Sequence, residues 1–359
     1  MTTSSAPVAA PSPALQEAIA QFDAESVRGY LGAASIGIPT RDTVQAQLAD
    51  IEAWRTAKLS PAHYDSVIDR TRSHYAALVG VSPERVAMGS QTSVMVSLFC
   101  AAAPSGAEVL CVDGDFSSVV FPFLQRADLR VRSVPLADLA TEITEQTWLV
   151  AFSFAQSATG EIADVDAIRE AAARTGAFTL CDTTQAAGVH PIDASIFDAT
   201  VCHAYKWLCS PRGVAFLTVN ERLGGQLTPT QAGWYAGDSV WDSCYGPDMQ
   251  LASSARRFDV SPAWPAWIGA EPAIRMFASL DIAEVWERTS ALGASLCAAL
   301  GIPEQRQAIV TWADPDGSDL TRLTDAGLTV SGRAGRLRAA FHLWNDESDV
   351  AAVVAALGR

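Results

Sequence analysis

Lys206 and Asp182 are the residues whose type and setting point to chemistry. Lys206 closes an apolar run, Val201-Cys202-His203-Ala204-Tyr205, and a Pro211-Arg212-Gly213 turn then leads into a second apolar run over 214–219. A charged amine at the end of a buried strand is costly unless it is paired, covalently used or able to shed its proton. Asp182 lies 24 residues earlier and closes another such run, Leu180-Cys181-Asp182, ahead of Thr183-Thr184-Gln185. One acid and one amine at strand ends suit a charged aromatic cofactor. Pyridoxal phosphate (PLP) takes a lysine amine in a Schiff base and a carboxylate at its pyridine nitrogen. A structural Asp–Lys ion pair explains the same two residues without a cofactor, so the rest of the chain has to decide.

The elements that must position this pair follow an α/β pattern. Apolar strands are predicted near 85–88, 108–113, 129–134, 148–154, 178–182, 200–205 and 214–219, with helical spacing at 41–58, 61–79, 94–103, 119–126 and 165–175. Strands that are apolar throughout, rather than alternating, belong to a sheet covered by helices on both faces. Ligands in such sheets bind beyond the carboxyl ends of the strands. Phe116, Gln156, Asp182 and Lys206 all fall there. Gln91 and Thr92 follow a short strand and open a helix, an arrangement that aims free N–H groups at an anion and is equally an ordinary helix cap.

Downstream, an aromatic-rich irregular segment over 233–265 precedes one long helical pattern, 268–300, then short strands near 308–312, 328–331 and 337–343, and a final helix over 349–357. The expected organisation is a flexible tail over 1–29, a large cofactor-binding domain over 30–262 and a small α/β domain over 263–359.

Composition narrows the partners. Across 359 residues, 49% hydrophobic content supports a large core, and a net charge of −15 argues against nucleic acid, which needs a basic surface. No apolar run is long enough to span a membrane, and the seven cysteines are scattered singly. A soluble, cytoplasmic protein with reduced thiols and no metal is expected.

Taken together these motifs resemble the class V aminotransferase family of fold type I PLP enzymes, which includes kynureninase, cysteine desulfurases, isopenicillin N epimerase and hercynylcysteine sulfoxide lyase. The resemblance runs from about Tyr30 to the C-terminus. It implies that Asp182 meets the pyridine nitrogen and Gln185 the ring oxygen, that Lys206 carries the Schiff base, and that Tyr205 or His203 touches phosphate. Gln91 and Thr92 match the phosphate grip, and Phe116 the ring-stacking position. Trp234 and Ser261 match positions that reach the phosphate from a partner subunit, implying a homodimer with shared sites. Arg338, in Arg338-Ala339-Ala340-Phe341-His342, matches the arginine that binds the substrate carboxylate. The approach to Arg338, residues 327–336, contains no cysteine, unlike the desulfurases. The implied activity is β-elimination of the C–S lyase type on an α-amino acid, with transamination or epimerisation as the alternative and a non-catalytic PLP-binding protein as a third reading.

Overall fold

The structure is a computed structural model that describes residues 11–359. Seven strands form the main sheet: β1 (Val86–Gly89), β2 (Glu108–Val112), β3 (Arg130–Val134), β4 (Thr147–Ser153), β5 (Phe178–Asp182), β6 (Ala199–His203) and β7 (Ala215–Val219). A second sheet holds β8 (Ile309–Ala313), β9 (Ser331–Arg333) and β10 (Arg336–Ala340). The helices are α1 (Pro13–Ile19), α2 (Arg41–Arg55), α3 (Pro61–Leu78), α4 (Thr92–Ala102), α5 (Ser117–Leu124), α6 (Val165–Thr175), α7 (Glu221–Gly224), α8 (Trp264–Ala278), α9 (Ile282–Leu300), α10 (Ser318–Asp325) and α11 (Glu347–Leu357).

The main sheet has the order β1-β7-β6-β5-β4-β2-β3, and only β7 runs against the rest. This is the mostly parallel, helix-covered sheet expected, and the uniform apolarity has its cause in burial: β1, β2, β5, β6 and β7 are buried along their whole length. The edge strand β3 instead exposes Arg130, and charge on an edge discourages pairing with another chain. At the opposite edge, Met88 N–H donates to Asp259 Oδ1 (2.7 Å) and Met88 C=O accepts from Val260 N–H. Asp259 is itself held by Arg72, with 2.6 Å from Nη2 to Oδ2, both buried.

The structure departs from expectation in four places. The tail expected over 1–29 is ordered structure from Pro13 onward, while residues 1–10 lie outside the described part. Ser12 caps α1, Pro13 supplies its first turn, and Leu15, Ala18 and Phe22 enter the core. Residues 29–32 belong with the small sheet rather than the large one, because Leu31 N–H donates to Thr329 C=O and Ala340 N–H donates to Leu31 C=O. The single helix expected over 268–300 is two helices. Asp281 caps α9 through Ala283 N–H, which halts α8 at Ala278, and Pro265 starts α8 four residues early. Helix α10 was not foreseen; its polar sequence buries little beyond Leu323 and Asp319, and Asp314 caps it through the N–H groups of Asp319 and Leu320.

Candidate active site

The turn after β6 carries Lys206, and three neighbours grip it. Gly37 N–H donates to Tyr205 C=O at 2.8 Å, and a Cβ on Gly37 would stand 2.0 Å from the Lys206 carbonyl oxygen, so only glycine permits this approach. The Trp207 indole N–H donates to Gln185 Oε1 (2.8 Å), and His342 Nε2 meets Trp207 C=O at 2.9 Å. His342 is stacked between Trp207 and Trp344, and burial lowers its pKa to about 4, so its ring is neutral. Small and large sheets thus meet at the lysine turn.

A cavity of about 320 Å³ opens beside this turn, lined among others by Ser35, Asp115, Phe116, Ser157, Tyr205, Lys206, Arg333 and Arg338. Lys206 is only 5% exposed; burial lowers its pKa to about 8, with Asp182 acting in the opposite direction. Its Nζ stands 5.2 Å from the Phe116 ring centroid and 5.7 Å from that of Tyr205. Asp182 ends β5 and accepts from Thr184 N–H (2.8 Å); burial raises its pKa to about 6, against the lowering effect of the Thr184 hydrogen bonds and Lys206. The bland ion-pair account is not what this site displays, since the two groups share no ion pair within 4 Å among the described residues.

Arg338 enters the cavity from β10. It is 2% exposed and is held by neutral groups alone: Nε donates to Ser331 Oγ (3.1 Å), Nη2 to Ser35 Oγ (2.8 Å), and Nη1 to both Ser157 Oγ (3.1 Å) and Ser157 C=O. Burial and the charge of Arg333 lower its pKa to about 10, still far above neutrality. A buried guanidinium with no acid beside it, aimed at a cavity, is a place for an anion.

The expected residues are therefore only partly gathered. Phe116, Tyr205, Lys206 and Arg338 line the cavity. Gln185 is buried after β5 and does not line the cavity; both its N–H groups already donate, to Ala34 C=O and Ser157 Oγ at 3.0 Å each, and its oxygen accepts from Trp207. Thr92 is buried at the start of α4, Gln91 is exposed, and no side chain caps that helix. His203 is buried with Nε2 unpartnered among the described residues, and burial lowers its pKa to about 4. Trp234 and Ser261 stay outside the cavity: Trp234 packs edge-on to Tyr235 and Trp241, and Ser261 is exposed.

Ser35, Ser157 and Asp115 were missed as candidates. Asp115 accepts from the Ser153 N–H (2.8 Å), the Ser153 hydroxyl (2.6 Å) and Phe116 N–H (2.6 Å), which fixes where the Phe116 ring starts. Nothing local marks Ser35, because residues 33–37 reach the site only through the fold.

The residues present suit PLP: a buried amine without an ion-pair partner among the described residues, a buried acid at a strand end, an uncapped helix start and an orphaned imidazole nitrogen. Fold and site together define a fold type I PLP enzyme. Residues 64–321 match the family model "Aminotransferase class-V", and the chain belongs to that family of PLP-dependent enzymes. Among its relatives is an uncharacterized aminotransferase, YcbU, of Bacillus subtilis (strain 168), 27% identical over 62% of this chain and 63% of that protein. A kynureninase of Deinococcus radiodurans is 28% identical over 76% of this chain and 71% of its own length. An isopenicillin N epimerase of Streptomyces clavuligerus is 28% identical over 46% of each. Among solved structures, the cystine C–S lyase C-DES with its product cysteine persulfide aligns over 94% of this chain and 99% of that one, at TM-score 0.84 and 19% identity. The cysteine desulfurase CsdA of Escherichia coli aligns over 96% and 98%, at TM-score 0.81 and 20% identity. At such identities the structural matches establish the fold. The aligned part is under two thirds of the Bacillus protein, so the reaction is argued from the site.

Proposed function

We propose that the protein is a PLP-dependent lyase that removes a sulfur substituent from the β carbon of an α-amino acid. The observation that carries this reading is Arg338 and Lys206 in one cavity, the first a buried cation without an acid, the second a buried amine whose pKa of about 8 leaves it able to take a proton. PLP, when bound, supplies an electron sink for negative charge at the α carbon. Arg338 would hold the α-carboxylate in its fork and turn the α C–H toward Lys206. Lys206 Nζ would take that proton as general base while the C–S bond breaks and its electron pair leaves with sulfur. The released enamine hydrolyses to pyruvate and ammonia. Asp182 would keep the pyridine nitrogen protonated, Gln91, Thr92, Tyr205 and His203 would hold the phosphate end, and Phe116 would lie on the ring. Gln185 would face the ring oxygen, exchanging its hydrogen bond to Ser157 for one to the cofactor.

Among the described residues no cysteine lines the cavity, which speaks against an enzyme-bound persulfide and for direct elimination. Transamination or epimerisation on the same residues is the competing reading, favoured by the names of two relatives.

A homodimer fits the same picture. Val44, Leu48 and Ile51 form an exposed apolar stripe on α2, beside Trp54 at 66% exposure. Trp234 and Ser261, outside this chain's own cavity, would serve the partner's site. The free, mostly buried thiols suit a cytoplasmic enzyme, and no helix among the described residues is long and apolar enough to cross a membrane.

The test supplies S-substituted cysteines and their sulfoxides and follows pyruvate by coupled reduction. Pyruvate that disappears with Lys206→Ala supports elimination. Stoichiometric conversion of the cofactor to its amine form, reversed by a keto acid, makes the enzyme an aminotransferase instead.

A further inference from the structure

The small sheet gathers three arginines on one face. In the register of the sheet, Arg338 lies opposite Ser331, and Arg336 lies opposite Arg333. Directly opposed residues share a face, and so do residues two apart on one strand. Arg333, Arg336 and Arg338 therefore point the same way. None forms an ion pair among the described residues, although the chain holds 40 acidic residues against 25 basic ones. Like charges placed directly opposite cost stability in a sheet. Nothing in the local fold offsets that cost at Arg333.

The three differ in how far they are spoken for. Arg338 is buried among serines, as described. Arg336 is half-buried and tied to β8, with Nη2 donating to Thr311 Oγ1 at 2.8 Å and Nε to the same oxygen at 3.2 Å. Arg333 lines the cavity, and its one hydrogen bond goes to the carbonyl of its neighbour Gly332. Its remaining N–H groups have no partner among the described residues. Its charge lowers the pKa of both Lys206 and Arg338, which places it within electrostatic reach of each.

Arg333 is also held in place by its turn. Residues Ala334 and Gly335, at φ 48° and 71°, form the two-residue connection between β9 and β10. Two positive φ values in a two-residue loop make a type I′ hairpin turn, the tightest join of two strands. An alanine at positive φ is under strain. The backbone that carries Arg333 is therefore a tight turn beside the cavity, from which the exposed side chain extends.

We propose that Arg333 is a second anion anchor, and that the substrate is an α-amino acid whose β substituent ends in an anionic group, a carboxylate or a sulfonate. Arg338 holds the α-carboxylate and Arg333 the distal anion, so the substrate spans the cavity past Lys206. The inference rests on the proposed reading that an amino acid occupies this cavity, and its test does not depend on which reaction follows.

The purified holoenzyme is titrated by calorimetry with glutarate, 4-sulfobutyrate and valerate. The dianions bind roughly ten-fold more tightly than valerate, as one charge-assisted contact supplies. Arg333→Gln removes that preference and leaves valerate within about two-fold, whereas Arg333→Lys retains part of it. Equal affinity for dianion and monoanion in the unaltered enzyme, or no binding of any of the three, overturns the proposal. So does a preference that survives Arg333→Gln. In parallel, kcat/KM for S-carboxymethylcysteine is compared with that for S-propylcysteine. Absence of pyruvate from both sinks the elimination reading alone, because the calorimetric preference still decides the role of Arg333.

Discussion

The Lys206 amine stands 5.2 Å from the centre of the Phe116 ring, across a cavity that also holds Arg338. The ring offers no proton, so on that side the lysine is the group able to move one. Its pKa of about 8, against an ordinary 10.5, has burial as its main cause. A lowered cationic pKa means that the neutral amine grows as pH rises through about 8. With cofactor removed, the rate at which Lys206 is trapped by added PLP and borohydride should rise through that range and level off above it. Lys206→Ala should abolish the reducible adduct; an adduct that persists on another lysine would remove Lys206 from its role.

Asp182 pairs a functional demand with a cost to the cofactor-free fold. Its pKa is raised from 3.8 to about 6, chiefly by burial. The folded state thus binds the proton more tightly than the unfolded chain. The contribution of this group is fully favourable below about pH 4 and is lost as pH rises through about 6. Two units correspond to roughly 3 kcal/mol. Asp182→Asn should therefore stabilise the cofactor-free protein at pH 7 by up to about that amount. It should also weaken PLP binding and cut turnover at least a hundred-fold, roughly the weight of one acid–base group. Denaturant melts of the cofactor-free variant and PLP titration check the two halves separately.

Arg338→Ala should reduce kcat/KM for amino acids by orders of magnitude, since truncating half of a desolvated charge pair costs about 2–5 kcal/mol. The visible spectrum of the bound cofactor should be unchanged. Arg338→Lys should rescue little, because a point charge cannot span Ser35, Ser157 and a carboxylate at once. Unaltered steady-state kinetics in the alanine variant would move the carboxylate site elsewhere.

Stability at the β1 edge should rest on the buried pair of Arg72 and Asp259. Burial pulls the Asp259 pKa upward while Arg72 pulls it down. Asp259→Ala leaves a buried guanidinium unpaired and frees Met88 N–H, so a loss of about 3–5 kcal/mol is expected in chemical denaturation. Replacing both residues by apolar ones of similar volume should recover much of it.

Leu48→Glu with Ile51→Glu should lower the solution mass from twice the chain mass to that of one chain. Activity should fall with it if Trp234 and Ser261 serve a neighbouring site. A protein that sediments as a monomer without these changes, and is fully active, would remove the shared-site dimer.

Much of this protein was legible in its sequence because burial leaves a chemical trace along the chain. A strand covered on both faces must be apolar throughout, so β5 and β6 stood out, and with them the two ionisable residues that interrupt the pattern. Arg338 was legible through family resemblance, which aligns it in a strand otherwise apolar from Leu337 to Phe341. Tertiary structure alone decided what those groups face. Ser35 and Ser157 lie 122 residues apart in the chain, yet both meet the Arg338 guanidinium, and no periodicity encodes such a meeting. The ends of α8 and α9 turned on one capping aspartate, a difference of a few hydrogen bonds that hydrophobic spacing does not register. The order of residues 13–32 depends on contacts with strands and helices near the far end of the chain. The unpaired state of Arg333, too, is a property of surroundings: an arginine in sequence is solvated by default, and only the fold reveals which acids fail to reach it.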